Sequence, residues 1–114
     1  LFNKADIVLF PFTTSVRDIV DPPITMLEAM SCGSIIIATK VLSIPLIIKN
    51  GYNGFLNTPD DMAHIYKHLK KALLLSQHER NLIRKRARNT VQYLFSHDRI
   101  RARIIKLYED LLSE

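Results

Sequence analysis

Ile24-Thr25-Met26-Leu27-Glu28-Ala29-Met30 runs through Ser31-Cys32-Gly33 into Ser34-Ile35-Ile36-Ile37-Ala38-Thr39, and these sixteen positions decide the fold. The first part has helical composition, Gly33 sits where a helix ends in a left-handed cap, and the second part is an apolar strand rich in β-branched residues. A strand apolar at every position, not alternating, is one covered on both faces, as in a parallel sheet. Within the helical part a lone acid, Glu28, stands among side chains that favour burial. A carboxylate costs several kcal/mol to bury unpaired, so one placed about a turn from a helix start, at the mouth of an α/β sheet, is a candidate to hold a ligand's hydroxyls. The plainer alternative is a carboxylate that reaches solvent or a basic partner at the helix edge.

The same logic extends outward. Asp6-Ile7-Val8-Leu9-Phe10-Pro11 reads as another strand covered on both faces and closed by Pro. After a polar loop (Thr13 to Asp18), Asp21 reads as the N-cap and Pro22 as the first helical residue. Ile44-Pro45-Leu46-Ile47-Ile48 is expected as a short apolar helix ended by Asn50-Gly51. Asn53-Gly54 signals a turn before a short strand at Phe55-Leu56-Asn57.

Beyond residue 57 the period becomes helical. Thr58 is expected to cap a helix with Pro59 in its first turn and Ile65, Leu69, Ala72 and Leu73 facing inward. Ser76-Gln77-His78-Glu79 reads as a capping box opening a helix to about Tyr93, with Leu82, Ile83, Ala87 and Val91 inward. Ser96 is expected to open a last helix striped by Ile100, Ile104, Leu107, Tyr108, Leu111 and Leu112. Strands alternating with helices imply a parallel sheet. The chain therefore reads as one α/β unit over 1–114, a strand-and-helix core in 1–57 followed by helices in 58–114. Three strands are few for such a sheet, so the expectation is the second half of a doubly wound domain whose first strands lie upstream.

Composition excludes several classes. The 114 residues are 47% apolar and 24% charged, ordinary for a globular domain. The longest apolar run, Ile44 to Ile48, is far below the ~20 residues that cross a bilayer. The single Cys32 reads as a small buried residue in a reducing, cytoplasmic compartment. The net charge of +5 comes entirely from the second half, chiefly from Arg80 through Lys106, because charges cancel over 1–57. That run reads as a solvated outer face, because Glu79, Asp98, Glu109 and Asp110 interrupt it. Nucleic-acid binding is not expected without aromatic interleaving. His64 and His68 have i, i+4 metal-ligand spacing, but no third ligand accompanies them and Lys67, Lys70 and Lys71 crowd the same helix, so no metal is expected.

In order, these segments resemble the C-terminal part of the donor-binding domain of GT-B fold, nucleotide-sugar-dependent glycosyltransferases, in particular glycosyltransferase family 4, the retaining group 1 transferases. Ala5 to Pro11 resembles the family's Ala-Asp-(apolar)-Pro strand. Leu27-Glu28-Ala29-Met30-Ser31-Cys32-Gly33 with Ser34 to Thr39 resembles its Leu-Glu-Ala-Met-Ala-x-Gly-x-Pro-Val-Val-Ala-Thr block. Ile44 to Ile48, Asn50 to Leu56 and the ending from Phe95 to Leu112 are also similar.

The resemblance implies a doubly wound, Rossmann-like fold and transfer of a sugar from a nucleotide-diphosphate-sugar to a glycan or lipid-linked acceptor, with retention. It implies no cofactor and no metal. Its other implied partners are the protein's own N-terminal domain and a peripheral contact at the inner face of the membrane. Glu28 matches the glutamate that accepts hydrogen bonds from the donor ribose. Asp21, Pro23, Ile24, Thr25 and Met26 match the loop and helix start that meet the diphosphate and sugar. No catalytic residue is assigned, and the chain alone is expected to be inactive. The sequence also departs from the pattern. Val20 stands where the family has its first glutamate, and Asp21-Pro22-Pro23 replaces a Gly-Phe-Gly-type loop. Asp21 either takes the missing glutamate's place or simply caps the helix. Leu42-Ser43 replaces Gly-Gly, and Leu46 replaces a Glu, implying a more buried short helix. These departures leave a non-catalytic, degenerate Rossmann-like binding or interaction module as the alternative.

Overall fold

The computed structural model describes residues 7–13, 22–96 and 98–113, apart from the side chains at 98–101 and 104. Its elements are β1 (Ile7–Phe10), α1 (Ile24–Ser31), β2 (Ile35–Thr39), α2 (Ile44–Ile47), β3 (Phe55–Asn57), α3 (Met62–Leu73), α4 (Gln77–Ser96) and α5 (Asp98–Leu112). This is the expected order of alternating strands and helices followed by three helices.

The sheet is parallel throughout, in the order β1-β2-β3. Ile7 to Phe10 pair with Ile35 to Ala38, and Ile37 to Thr39 pair with Phe55 to Asn57. Every residue of β2 is buried. Its side chains alternate between two cores, as the pleat requires. Ile36 and Ala38 join Leu27, Met30, Ile44, Ile48 and Leu56 on one face. Ile35 and Ile37 join Phe55, Ala72 and Ile83 on the other. Each fully buried Ile contributes about 1.5–3 kcal/mol through removal from water. Helix α4 serves both cores, Ile83 on one side and Ala87 and Val91 on the other.

β1 differs from its reading. Among the described residues it pairs with β2 alone, and Leu9 is 42% exposed, so the face that carries Leu9 is not fully covered by them.

Local chemistry explains the boundaries. Helix α1 ends in a Schellman motif: the Ser34 N–H donates to the Ala29 carbonyl and the Gly33 N–H to the Met30 carbonyl, each at 3.0 Å, with Gly33 at φ +79°. Its start is later than expected, because Pro23, not Asp21, is the N-cap, and no side chain caps it. Asp21 itself lies outside the described residues. Helix α3 is capped by Asp61, whose carboxylate accepts from the His64 N–H at 3.0 Å, so the cap lies past the expected Thr58. Ser76 caps α4 as expected, its hydroxyl accepting from the Glu79 N–H at 3.2 Å. Ser96 closes α4 instead of opening the last helix, its hydroxyl donating to the Tyr93 carbonyl at 3.0 Å. On α3, Leu73 is exposed, and His68 takes the inward place beside Ile65 and Ala72.

Candidate functional site

Glu28 sits in the second turn of α1. That helix turns Met26, Leu27, Ala29 and Met30 into the core and leaves Thr25 and Glu28 outside. The carboxylate is therefore exposed, not enclosed by the apolar neighbours that flank it in sequence. Among the described residues it makes no hydrogen bond or ion pair. It borders a cleft of about 160 Å³ lined by Ile24, Leu27, Glu28 and Ser31 of α1, Phe95 of α4 and Tyr108 of α5. Helices bound this cleft, and no described residue from a strand's carboxyl end lines it, which corrects the expectation of a cleft at the sheet mouth. Its size is below the ~300 Å³ at which pockets enclose a drug-sized molecule. It suits one small ring, with the rest of a ligand lying outside.

The other expected site residues divide. Ile24 shares the cleft with Glu28. Thr25 is exposed, whereas the side chains of Pro23 and Met26 are buried, leaving only their backbone for ligand contact. The first intrahelical bond of this turn is the Leu27 N–H to the Pro23 carbonyl at 3.2 Å. The N–H groups of Ile24, Thr25 and Met26 precede it and lie at the positive end of the helix dipole. Pro22 and Pro23 offer no N–H. Asp18, Arg17 and Val20 lie outside the described residues.

Phe95 and Tyr108 were missed as site residues. Both belong to apolar stripes, and a stripe at helical spacing reads as core unless tertiary structure places it beside an acid.

The strand ends near α1 are tied together. The Thr39 hydroxyl donates to the Phe12 carbonyl at 2.8 Å, and the Lys40 N–H to the Asn57 carbonyl at 2.9 Å. The Asn57 amide donates to the Ala38 carbonyl at 3.2 Å, so its oxygen faces His68, whose Nδ1–H donates to it. His68 is buried against Phe55 and stacks on His64 with ring centroids 4.6 Å apart. Burial first, then the nearby charges of His64, Lys71, Lys67 and Lys40, holds the His68 imidazole below the usual histidine range. The Nδ1 of His64 accepts from the Thr58 N–H at 3.1 Å. Both histidines thus have structural partners, and no cluster of three metal-ligating side chains occurs among the described residues.

The basic run is exposed to solvent at Lys85, Arg88, Arg103 and Lys106, as expected, and half-buried at Arg80, Arg84 and Arg86. Arg80 donates to the Leu73 carbonyl at 3.0 Å, and Arg86 lies 4.4 Å from the Tyr52 ring centroid. Leu42 keeps a left-handed φ of +51° where the resembled pattern has Gly. Leu46 is 81% exposed, so the short helix is not the more buried one expected, and Cys32 is exposed instead of buried. Among the described residues no helix is long and apolar enough to cross a membrane.

Comparison with known proteins places this geometry in a family. The profile of glycosyl transferases group 1 matches residues 1–90. The chain is 31% identical over 91 residues to N-acetyl-alpha-D-glucosaminyl L-malate synthase of Bacillus anthracis, covering 80% of this chain and 24% of that protein. It superposes on the C-terminal domain of a glycosyl transferase group 1 family protein (LpcC) from Francisella tularensis with a TM-score of 0.64 at 28% identity, covering 79% of this chain and 43% of that one. Anabaena Alr3699/HepE in complex with UDP-glucose matches with a TM-score of 0.71 at 20% identity, over 96% of this chain and 29% of that chain. The chain thus spans about a quarter of the length of the synthase it matches. With a parallel α/β sheet of GT-B type and a family profile that covers most of its length, the chain belongs to the glycosyl transferases of group 1.

Proposed function

We propose that the protein containing this chain transfers a sugar from a nucleotide-diphosphate-sugar to a glycan or lipid-linked acceptor with retention, and that this chain supplies part of the donor site. The observation that carries the reading is the exposed Glu28 carboxylate, unpaired among the described residues and bordering a cleft of single-ring size. Two acceptor oxygens match the neighbouring hydroxyls of a ribose, and charge-assisted bonds are the stronger kind. UDP-glucose bound by Alr3699/HepE, which shares this fold, is consistent with such a donor.

Chemically, negative charge grows on the leaving diphosphate as the glycosidic bond breaks, and fixed dipoles stabilise it. The N–H groups of Ile24, Thr25 and Met26 would supply that dipole here, with Pro23 setting the chain's entry into the helix. Asp21 would meet hydroxyls of the transferred sugar. This chemistry requires no cofactor or metal from the chain. No group in it is assigned to proton or sugar transfer, so the chain alone should be inactive, and its N-terminal domain is the first partner required. Leu111 at 45% and Leu112 at 84% exposure on α5 fit a helix that meets further parts of the protein. The reading places the protein in the cytoplasm.

A second reading, a non-catalytic module, is favoured by Pro22 and Pro23, which remove two N–H donors from the loop that would face the phosphates. Calorimetric titration of the full-length protein with UDP, GDP and ADP separates the two. The donor-site reading expects one nucleotide to bind and Glu28→Gln to weaken it. Binding of none, or equal binding by the variant, supports the module.

A further inference from the structure

A pocket of about 250 Å³ opens between the last turn of α3, the first half of α4 and the start of β3. Its wall residues Phe55 and Ile83 belong to the core on one face of the sheet, whereas Leu27 of the Glu28 cleft belongs to the core on the other. The two sites share no lining residue. The pocket also lies two strands from β1, whose exposed Leu9 marks the edge where upstream strands are expected.

Its lining combines two kinds of chemistry. Phe55 and Ile83 from the core, with the half-buried Leu75 and Leu82, form an apolar wall. Lys71 and Arg86 bring two positive charges to it, against one negative charge from Glu79. That acid is already engaged, since the Ser76 hydroxyl donates to its Oε1 at 3.0 Å. Arg86 is steadied by the Tyr52 ring, whose centroid lies 4.4 Å from the guanidinium carbon, and by the Tyr52 carbonyl, which accepts from its Nη1 at 3.4 Å. That bond uses one of arginine's five N–H donors. The Lys71 ammonium stands 6.0 Å from the Phe55 ring centroid. Lys67, one turn earlier on α3, adds to the positive field.

An apolar wall with a few convergent charges is the usual make-up of a small-molecule site, and at below ~300 Å³ this one holds a single ring or a short branched chain. We infer that the pocket binds a small organic anion with a compact apolar body, which lies against Leu75, Leu82 and Ile83 while Lys71 and Arg86 meet its charge. An organic cation would face both positive groups, and an inorganic anion would leave the apolar wall without a role.

The inference does not rest on the donor-site reading. Its test is ligand-detected NMR titration of the full-length protein with three probes of one shape, benzoate, benzyl alcohol and benzylammonium. Benzoate should bind, benzyl alcohol should bind roughly fivefold more weakly and benzylammonium should not bind. Lys71→Met and Arg86→Met, which keep the apolar stems, should each weaken benzoate roughly fivefold and leave benzyl alcohol unchanged. Leu82→Trp, which fills the pocket, should abolish binding of both. Nucleotide affinity should be the same in all three variants as in the parent. The inference is overturned if benzoate does not bind, if benzylammonium binds as well as benzoate, or if the two methionine variants bind benzoate like the parent. It is equally overturned if Leu82→Trp, folded by circular dichroism, still binds benzoate.

Discussion

Asn53 offers a sharp test of how this fold is held, because one side chain joins three segments. It is 2% exposed. Its oxygen accepts from the Lys49 N–H at 2.8 Å, and its amide donates to the Ile47 carbonyl at 2.9 Å and to the Thr90 hydroxyl at 3.0 Å. The end of α2, the turn before β3 and the middle of α4 thus meet at one amide. A typical intramolecular hydrogen bond contributes about 0.5–1.5 kcal/mol net, and a buried group stripped of its partner costs about 1–3 kcal/mol. Asn53→Ala removes all three bonds and leaves the Ile47 carbonyl and the Lys49 N–H without this partner, so the expected loss is about 3 kcal/mol. Thr90→Val, which removes one of the three, should cost about 1 kcal/mol. Asn53→Asp retains the acceptor but loses both donations and brings a charge into a buried site, so it should cost at least as much as the alanine. Denaturant unfolding followed by circular dichroism gives these values, provided that the slope of free energy against denaturant stays constant. A loss below about 1 kcal/mol for Asn53→Ala, at constant slope, would refute the argument that this hub carries stability.

Three further predictions concern backbone and charge. Gly33→Ala should destabilise by about 1–2 kcal/mol, since the Schellman cap holds φ at +79°, and an unchanged melting midpoint would contradict it. Leu42→Gly should stabilise by up to about 1 kcal/mol, because relief of left-handed strain at φ +51° outweighs the entropy added to the unfolded chain; calorimetric melting would show the sign. For His68 the folded pKa is lowered, so the unfolded chain binds the proton first as pH falls. Its contribution is therefore complete above the unfolded pKa of about 6.5 and is lost on acidification toward the folded pKa, by at most about 1.4 kcal/mol per pH unit. In His68→Gln the slope of unfolding free energy below about pH 6.5 should flatten, and an unchanged slope would assign it elsewhere.

Much of the fold was legible because period is a strong signal. The run rich in β-branched residues at Ile35 to Thr39 and the Gly33 stop could hardly be read otherwise, and the elements occur in the expected order. What local pattern missed was set by tertiary structure. Thr58 is as good a cap as Asp61 in composition, but Asp60 at φ +62° turns the chain between them, so the helix starts later. His68 lies at helical spacing between Ile65 and Ala72, but a polar side chain is accommodated there because Asn57 offers it a buried partner, which local pattern does not show, and Leu73 is left exposed. Asn53 read as a turn residue, and only the placement of α4 turned it into a hub. Glu28 was found as a candidate from its neighbours, but those neighbours point inward while it points out, and its cleft is completed by Phe95 and Tyr108, distant in sequence.

The donor-site account stands or falls on the affinity of the full-length protein for its nucleotide before and after Glu28→Gln. Replacing two charge-assisted hydrogen bonds by neutral ones should cost about 1–3 kcal/mol, that is, roughly fivefold to 150-fold weaker binding. Equal affinity of parent and variant, with the fold intact by circular dichroism, would contradict it.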